Sequence, residues 1–377
     1  MPIGEAVIEV CSLAVGYGSS VMSMSFRSQG LIERYRQWLP VDDDTPIVSL
    51  GEGTTPLLRA PRLGDRLGVD LYLKIEGANP TGSFKDRGLT MALSRAAQDG
   101  VKAVICASTG NTSASAAAYS ARAGIRCVVV IPGGKVALGK LAQAQVAGAQ
   151  VVQIDGSFDD ALRLVRLMSD EHPITLVNNL NPYRLEGQKT AAWEIIDDLG
   201  RSPEWMCLPV GNGGNITAYW RGYTEAQARG EITQMPRMLG AQAEGSAAMV
   251  RGEDILQPET IATAIRIGAP VRREEAGTAA RDSNGGFAAA SDRQILDWFG
   301  HVVRDEGIFC EPSSASTLAG LANARASGLV AEGAEVVCVL TGNGLKDPDS
   351  AIAESAPPIT IPAERDALER VVLGDSP

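Results

Sequence analysis

Glu204-Trp205-Met206-Cys207-Leu208-Pro209-Val210-Gly211-Asn212-Gly213-Gly214-Asn215-Ile216-Thr217-Ala218-Tyr219-Trp220 passes from a short apolar run, through a glycine-rich turn, into a helical pattern. The apolar run predicts a buried strand over 205–210, and the helix reads from 216 to 229. Strand, tight turn and helix in that order form the unit of an α/β fold with a parallel sheet. The turn also has chemistry of its own. Backbone N–H groups exposed at the positive end of a helix make a cup for a phosphate. The dinucleotide spacing fails, because Ile216 takes the last glycine position, and no Walker lysine follows. Such a cup suits a smaller phosphorylated ligand, although plain turn chemistry accounts for the glycines as well.

Asn79-Pro80-Thr81-Gly82-Ser83-Phe84-Lys85-Asp86-Arg87-Gly88 delivers one lysine at the start of a helix, behind an aromatic and beside two opposite charges. An ammonium resists burial unless it is paired or neutralised, so this position predicts a desolvated amine with a lowered pKa. Schiff-base chemistry needs such an amine. The alternative is an ordinary helix start, with Ser83 as cap and Asp86 facing the helix dipole. Lysine and phosphate cup together point to pyridoxal 5′-phosphate. A third strand-to-helix junction, Ser108-Thr109-Gly110-Asn111-Thr112-Ser113, crowds small hydroxyls and amides where free N–H groups hold a carboxylate.

Strands are predicted at 71–76, 103–108, 127–131, 150–154, 175–178, 205–210, 238–243 and 336–340. Helices are predicted at 85–98, 114–123, 139–147, 158–170, 186–199, 216–229, 291–306 and 314–327. The alternation implies parallel sheets with right-handed crossovers, with ligands at the ends of the strands. The charged stretch 272–286 shows no clear period and reads as a surface connection or mobile loop. One short helix is expected over 362–372. Residues 1–27 read as a poorly ordered leader, with Met22 or Met24 as alternative starts.

A net charge of -11 argues against nucleic acid or an anionic membrane as partner. The N-terminus has neither the basic region nor the long apolar core of a signal peptide, so a cytoplasmic location is expected. Six scattered cysteines, four of them in predicted strands, read as buried free thiols. With only two histidines, His172 and His301, imidazole triads and histidine metal sites are not expected.

From residue 30 to 349 the chain resembles the threonine synthase family of fold-type-II pyridoxal-phosphate enzymes. The resemblance is carried by Gly51-Glu52-Gly53-Thr54-Thr55-Pro56-Leu57, by the lysine and glycine segments above, and by Asn181-Pro182-Tyr183-Arg184-Leu185-Glu186-Gly187-Gln188-Lys189-Thr190. Further matches are Ala262-Thr263-Ala264-Ile265-Arg266-Ile267-Gly268, Glu306-Gly307-Ile308-Phe309-Cys310-Glu311-Pro312 and Leu340-Thr341-Gly342-Asn343-Gly344-Leu345-Lys346-Asp347. It implies two open, mainly parallel sheets flanked by helices, like the tryptophan synthase β fold, with the active site between a large and a small lobe. The lobes would be 28–90 with 190–357, and 91–189, followed by a tail over 358–377.

By that resemblance Lys85 and Thr112 would be catalytic, with Lys85 bonded to the cofactor. Phe84, Asn111, Gly211, Asn212, Gly213, Gly214, Asn215 and Thr341 would hold the cofactor, Thr341 at its pyridine nitrogen. Ser108, Thr109 and Thr112 would cradle the substrate carboxylate. Ser83, Asn178 and Arg184 would grip its phosphate, arginine being suited to bidentate contact. The implied reaction turns O-phospho-L-homoserine and water into L-threonine and phosphate, in a lyase that is a homodimer with a phosphorylated amino acid as its partner molecule. Read alone, Arg184 is equally a surface ion-pairing residue. Lys189 and Lys346 read as surface or supporting residues, and Glu311 as a residue that caps or orients a helix. Asn179, Ala269 and Ser314 depart from the family pattern. The alternatives are a threonine/serine dehydratase or a β-replacement enzyme of the same architecture, and, from another class, a non-catalytic pyridoxal-phosphate-binding protein.

Overall fold

A computed structural model describes residues 29–133 and 138–374; the leader expected at 1–27 lies outside the described residues. The strands are β1 Leu57–Arg59, β2 Asp70–Ile75, β3 Ala103–Ala107, β4 Arg126–Ile131, β5 Gln150–Gln153, β6 Ile174–Leu176, β7 Trp205–Pro209, β8 Arg237–Ala243, β9 Gly286–Ala290 and β10 Glu335–Leu340. The helices are α1 Leu31–Tyr35, α2 Pro61–Leu67, α3 Lys85–Gln98, α4 Asn111–Ala123, α5 Leu138–Val146, α6 Phe158–Glu171 and α7 Tyr183–Leu199. They continue as α8 Gly214–Ala228, α9 Ala248–Arg251, α10 Arg273–Asp282, α11 Asp292–Glu306, α12 Pro312–Ala326, α13 Pro348–Ala353 and α14 Arg365–Leu373.

The strands form two sheets. The larger has the order β1-β2-β10-β7-β8-β9 and is parallel except at β1, which runs against β2. The smaller, β5-β4-β3-β6, is parallel throughout. The α/β architecture of two mainly parallel sheets is thus as expected. Central strands covered on both faces need apolar residues at every position, and β7 and β10 read as unbroken apolar runs for this reason. Their side chains still alternate. Val336, Cys338 and Leu340 pack with α2, α11 and α12, while Val337 and Val339 pack with α7, α8 and α10.

Helix α3 belongs to both sheets. Met91 joins the core beneath the larger sheet, and Leu89, Ala92, Leu93 and Ala96 join that of the smaller one. Its crossing with α7 is close. A Cβ on Gly187 would lie 1.7 Å from the Arg87 carbonyl oxygen, so no side chain fits there. The N-terminus of α3 is bolted by Arg87, which bonds Glu76 at 2.7 Å and both oxygens of Glu194 at 2.7 Å, in full burial. Glu194 also meets Lys74 at 3.0 Å, and its carboxyl is held far below the ordinary range by these cations in spite of burial, which acts the other way.

Several expectations need correction. The stretch 272–286 is not an irregular connection: it forms α10 and leads into the edge strand β9. The buried face of α10 is made of Ala276, Gly277, Ala279 and Ala280, small residues that give little apolar period among charges. Short elements β1, α2 and α13 were too brief to stand out by periodicity. Helices α4, α7 and α8 begin at Asn111, Tyr183 and Gly214 rather than at 114, 186 and 216, because polar residues and glycines open them. Asn111, Thr112 and Arg184 consequently sit in first turns of helices. The tail helix α14 overlaps the predicted 362–372. Cys106, Cys127, Cys207 and Cys338 lie in strands and, like Cys310, are buried and free; Cys11 lies outside the described residues. Among the described residues no helix is long and apolar enough to cross a membrane.

Candidate active site

The segments that leave β2, β6, β7 and β10 converge on one pocket. It is lined by Phe84 and Lys85, by Asn179, by the run from Pro209 to Ile216, by Ala264 and Ile265, and by Thr341. This is the carboxyl-end location that parallel sheets favour.

Lys85 opens α3 and owes its position to its neighbours. The Asp86 carboxylate accepts from Thr81 N at 2.7 Å, Thr81 Oγ1 at 2.5 Å and Ser115 Oγ at 2.6 Å. Arg87 is held in the buried network already described. Both flanking charges are therefore committed elsewhere. Lys85 is left without a hydrogen bond or ion pair to any described residue, its Nζ 4.0 Å from the centroid of the Phe84 ring. Burial pushes its pKa down to about 7, helped by the Arg184 charge and opposed by Glu311. Neither Ser83 nor any other side chain caps α3.

The glycine cup caps α8. Gly213, at φ 81°, is the residue before the helix, and a Cβ there would lie 2.8 Å from the Arg272 carbonyl oxygen. Only glycine takes that turn without strain. Both amide atoms of Asn215 are buried without a partner. Buried polar atoms are nearly always paired, so this amide calls for a ligand. Thr341 is buried, its Oγ1 3.1 Å from Ser314 Oγ, which accepts from Gly342 N at 3.0 Å. Asn111 donates to both oxygens of Glu311 at 3.2 Å.

The remaining predicted residues, and Asn111 with them, are not part of that lining. Ser108, Thr109 and Thr112 are half-buried at the start of α4. Ser83 is fully buried and its hydroxyl has no partner. Arg184 is no surface ion-pairing residue: it is 1% exposed, donates once, to Val177 O at 3.1 Å, and leaves Nε and Nη2 without partners. Burial lowers its pKa to about 10. Asn178 is more committed than expected. Its amide both accepts from Ala107 N at 3.0 Å and donates to Ala107 O at 2.9 Å, extending the β3–β6 pairing.

Lys189 lies outside the pocket lining, buried between Glu186 at 2.6 Å and Glu225 at 2.8 Å. Glu311 occupies the position before α12 yet makes no cap with its side chain. Arg272 was missed. Its backbone N–H donates to Asn212 O at 3.1 Å, and its guanidinium donates to Asn179 O at 3.1 and 3.2 Å. It ties the cup to the segment that leaves the smaller sheet. No periodicity marked it, because it stands at the head of the charged stretch taken for a loop.

A lysine with a depressed pKa, a glycine cup at a helix N-terminus and an unpaired buried amide fit a phosphorylated aldehyde. A family model for pyridoxal-phosphate dependent enzymes matches residues 48–342. The chain belongs to this family, and its cofactor is pyridoxal phosphate. Over 335 residues it is 57% identical to the threonine synthase of Synechocystis sp., spanning 88% of this chain and 87% of that one. It is 52% identical to the threonine synthase of Halalkalibacterium halodurans, spanning 93% and 99%. Within the pyridoxal-phosphate enzymes, then, it is a member of the threonine synthase family. Solved structures of maize serine racemase and of a processed threonine deaminase from Solanum lycopersicum each superpose with a TM-score of 0.68. They share 21% and 22% identity, covering 79% and 87% of this chain and 91% and 96% of theirs, a likeness of fold alone.

Proposed function

We propose that the chain converts O-phospho-L-homoserine and water into L-threonine and inorganic phosphate. The observation that carries the substrate class is Arg184, a buried guanidinium with two unpaired donors close enough to Lys85 to depress its pKa. Such a group is completed by an anion, and a phosphate accepts its parallel N–H groups well.

Lys85 would bond the cofactor, and its free amine would be the base that moves the substrate's Cα proton. Gly211–Asn215 and the N-terminus of α8 would hold the cofactor phosphate, with Phe84, Asn111 and Thr341 fixing the ring. The cofactor, when bound, supplies an electron sink for charge developing on the substrate. With Thr341 at the ring nitrogen, a hydroxyl would not pair with a charged pyridinium as a carboxylate would, and the sink would be a tempered one. Ser108, Thr109 and Thr112 orient the substrate carboxylate at the start of α4, and Thr112 also assists proton movement. Ser83, Asn178 and Arg184 take the leaving phosphate, Asn178 through the one N–H that the Ala107 backbone leaves over. The two lobes, 28–90 with 190–357 and 91–189, share helix α3, which runs across their boundary, and 358–377 is a tail. The enzyme works as a cytoplasmic homodimer.

The test is release of phosphate and threonine by the purified protein supplied with O-phospho-L-homoserine, beside Lys85→Ala. Equal amounts of both products, lost in the variant, support the reading. A cofactor-loaded protein that releases neither would sink it and turn attention to Asn179, which lines the pocket where the family pattern differs.

A further inference from the structure

Glu311 is a buried carboxylate whose charge acts on Lys85 and which the reaction as proposed does not use. It stands immediately before α12, where a carboxylate ordinarily turns back to accept from the free N–H groups of the first turn and is stabilised by the helix dipole. It does not do so. The side chain, 4% exposed, turns instead to Asn111, its hydrogen-bond donor, and lies against the backbone that follows Thr341. A Cβ on Gly342 would come within 2.5 Å of Glu311 Oε1, so the glycine makes room for the carboxylate. The charged groups around it are Lys346, Lys85 and Asp347, and Lys346 itself is spent on Thr81 O at 3.0 Å and Gln143 Oε1 at 2.6 Å. Burial raises the carboxyl pKa, while Asn111, Lys346 and Lys85 oppose that rise.

A primary amide presents an N–H edge and a C=O edge, and a half-turn exchanges them. An ionised carboxylate can only accept. Facing Asn111, it admits the N–H edge alone. We propose that Glu311 is a positioning residue, acting through Asn111: it locks the amide so that the second N–H keeps one direction, toward the ring oxygen of the bound cofactor. The helix loses a capping side chain, and the site gains a donor of fixed aim.

This rests on the reading that Lys85 bonds the cofactor and Asn111 faces it. The experiment is a pH titration of the visible absorbance of the cofactor-loaded enzyme, with melting temperature as a check on folding. Glu311→Gln has nearly the same volume but presents either edge to Asn111, so the lock is lost. One hydrogen bond is worth about 0.5–1.5 kcal/mol, so the midpoint moves by about half a unit to one unit. Asn111→Ala moves it the same way, and the double variant moves it no further than Asn111→Ala alone. Glu311→Asp, still a pure acceptor, gives a smaller shift than Glu311→Gln. An unmoved midpoint in Glu311→Gln, a full additional shift in the double variant, or an Asp shift larger than the Gln shift overturns the inference. Lys85→Ala, titrated alongside, loses the band if the underlying reading holds. A band retained there sinks the reading of Lys85 rather than the role of Glu311.

Discussion

Replacing Arg184 by methionine should raise the stability of the protein and destroy its turnover. The guanidinium is buried, and of its donors Nε and Nη2 have no partner. A buried unsatisfied group costs about 1–3 kcal/mol, more when charged, so the two together burden the substrate-free protein by at least about 2 kcal/mol. Methionine fills much of the same length with no charge, and removing an unpaired buried charge relieves that burden. A gain of about 2 kcal/mol raises Tm by about 4–8 °C in domains of 150–250 residues, and by less in a chain of this size. Catalysis moves the other way. Two charge-assisted bonds to the leaving phosphate, at about 1.5–3 kcal/mol each, amount to at least about a hundredfold in kcat/KM. Calorimetry of the cofactor-loaded protein in phosphate-free buffer, with phosphate release kinetics, reads both. Added inorganic phosphate should then stabilise the parent protein and leave Arg184→Met unmoved. A variant that melts earlier and keeps its kcat/KM would refute the reasoning, since Arg184 would then be a structural cation.

Lys85 carries a pH signature of its own. Its pKa is lowered from 10.5 to about 7 in the folded chain, so between those values the unfolded chain binds the proton and the folded chain does not. Stability of the cofactor-free protein should therefore rise with pH across that window, with the full penalty below about pH 7. Denaturant melts at neutral and alkaline pH should show this component in the parent and not in Lys85→Met. In the network below the site, Glu194→Gln leaves Arg87 and Lys74 short of a buried counter-charge, and about 3–5 kcal/mol of stability should go in chemical denaturation. Gly187→Val should prevent soluble expression or lower Tm severely, because its Cβ would fall 1.7 Å from the Arg87 carbonyl oxygen.

What could be read from the sequence was set by local chemistry. The unbroken apolar runs of β7 and β10 and the glycine turn after β7 announce themselves, and with them the parallel sheet and the cup. Lys85 was legible because turn, aromatic and opposite charges stand side by side in the chain. The burial of Arg184 was not, since nothing near it in sequence distinguishes a surface arginine from one enclosed against Val177. Arg272 and Glu311 act across the fold, on Asn179 and Asn111, and no local period encodes such a meeting. Alanine and glycine on the inner face of α10 pack closely yet give almost no hydrophobic signal, and so a helix looked like a loop.

Helix α3 contributes to the hydrophobic cores of both sheets and begins at Lys85. A boundary near residue 91 would cut that helix in the middle, so the smaller sheet is not a cassette. It cannot be excised, exchanged with a relative's or grown separately without tearing the element that presents the lysine. Variation in substrate preference has to be written in place, at the tips of strands, while the shared helix keeps the two halves in common ownership of the reactive amine.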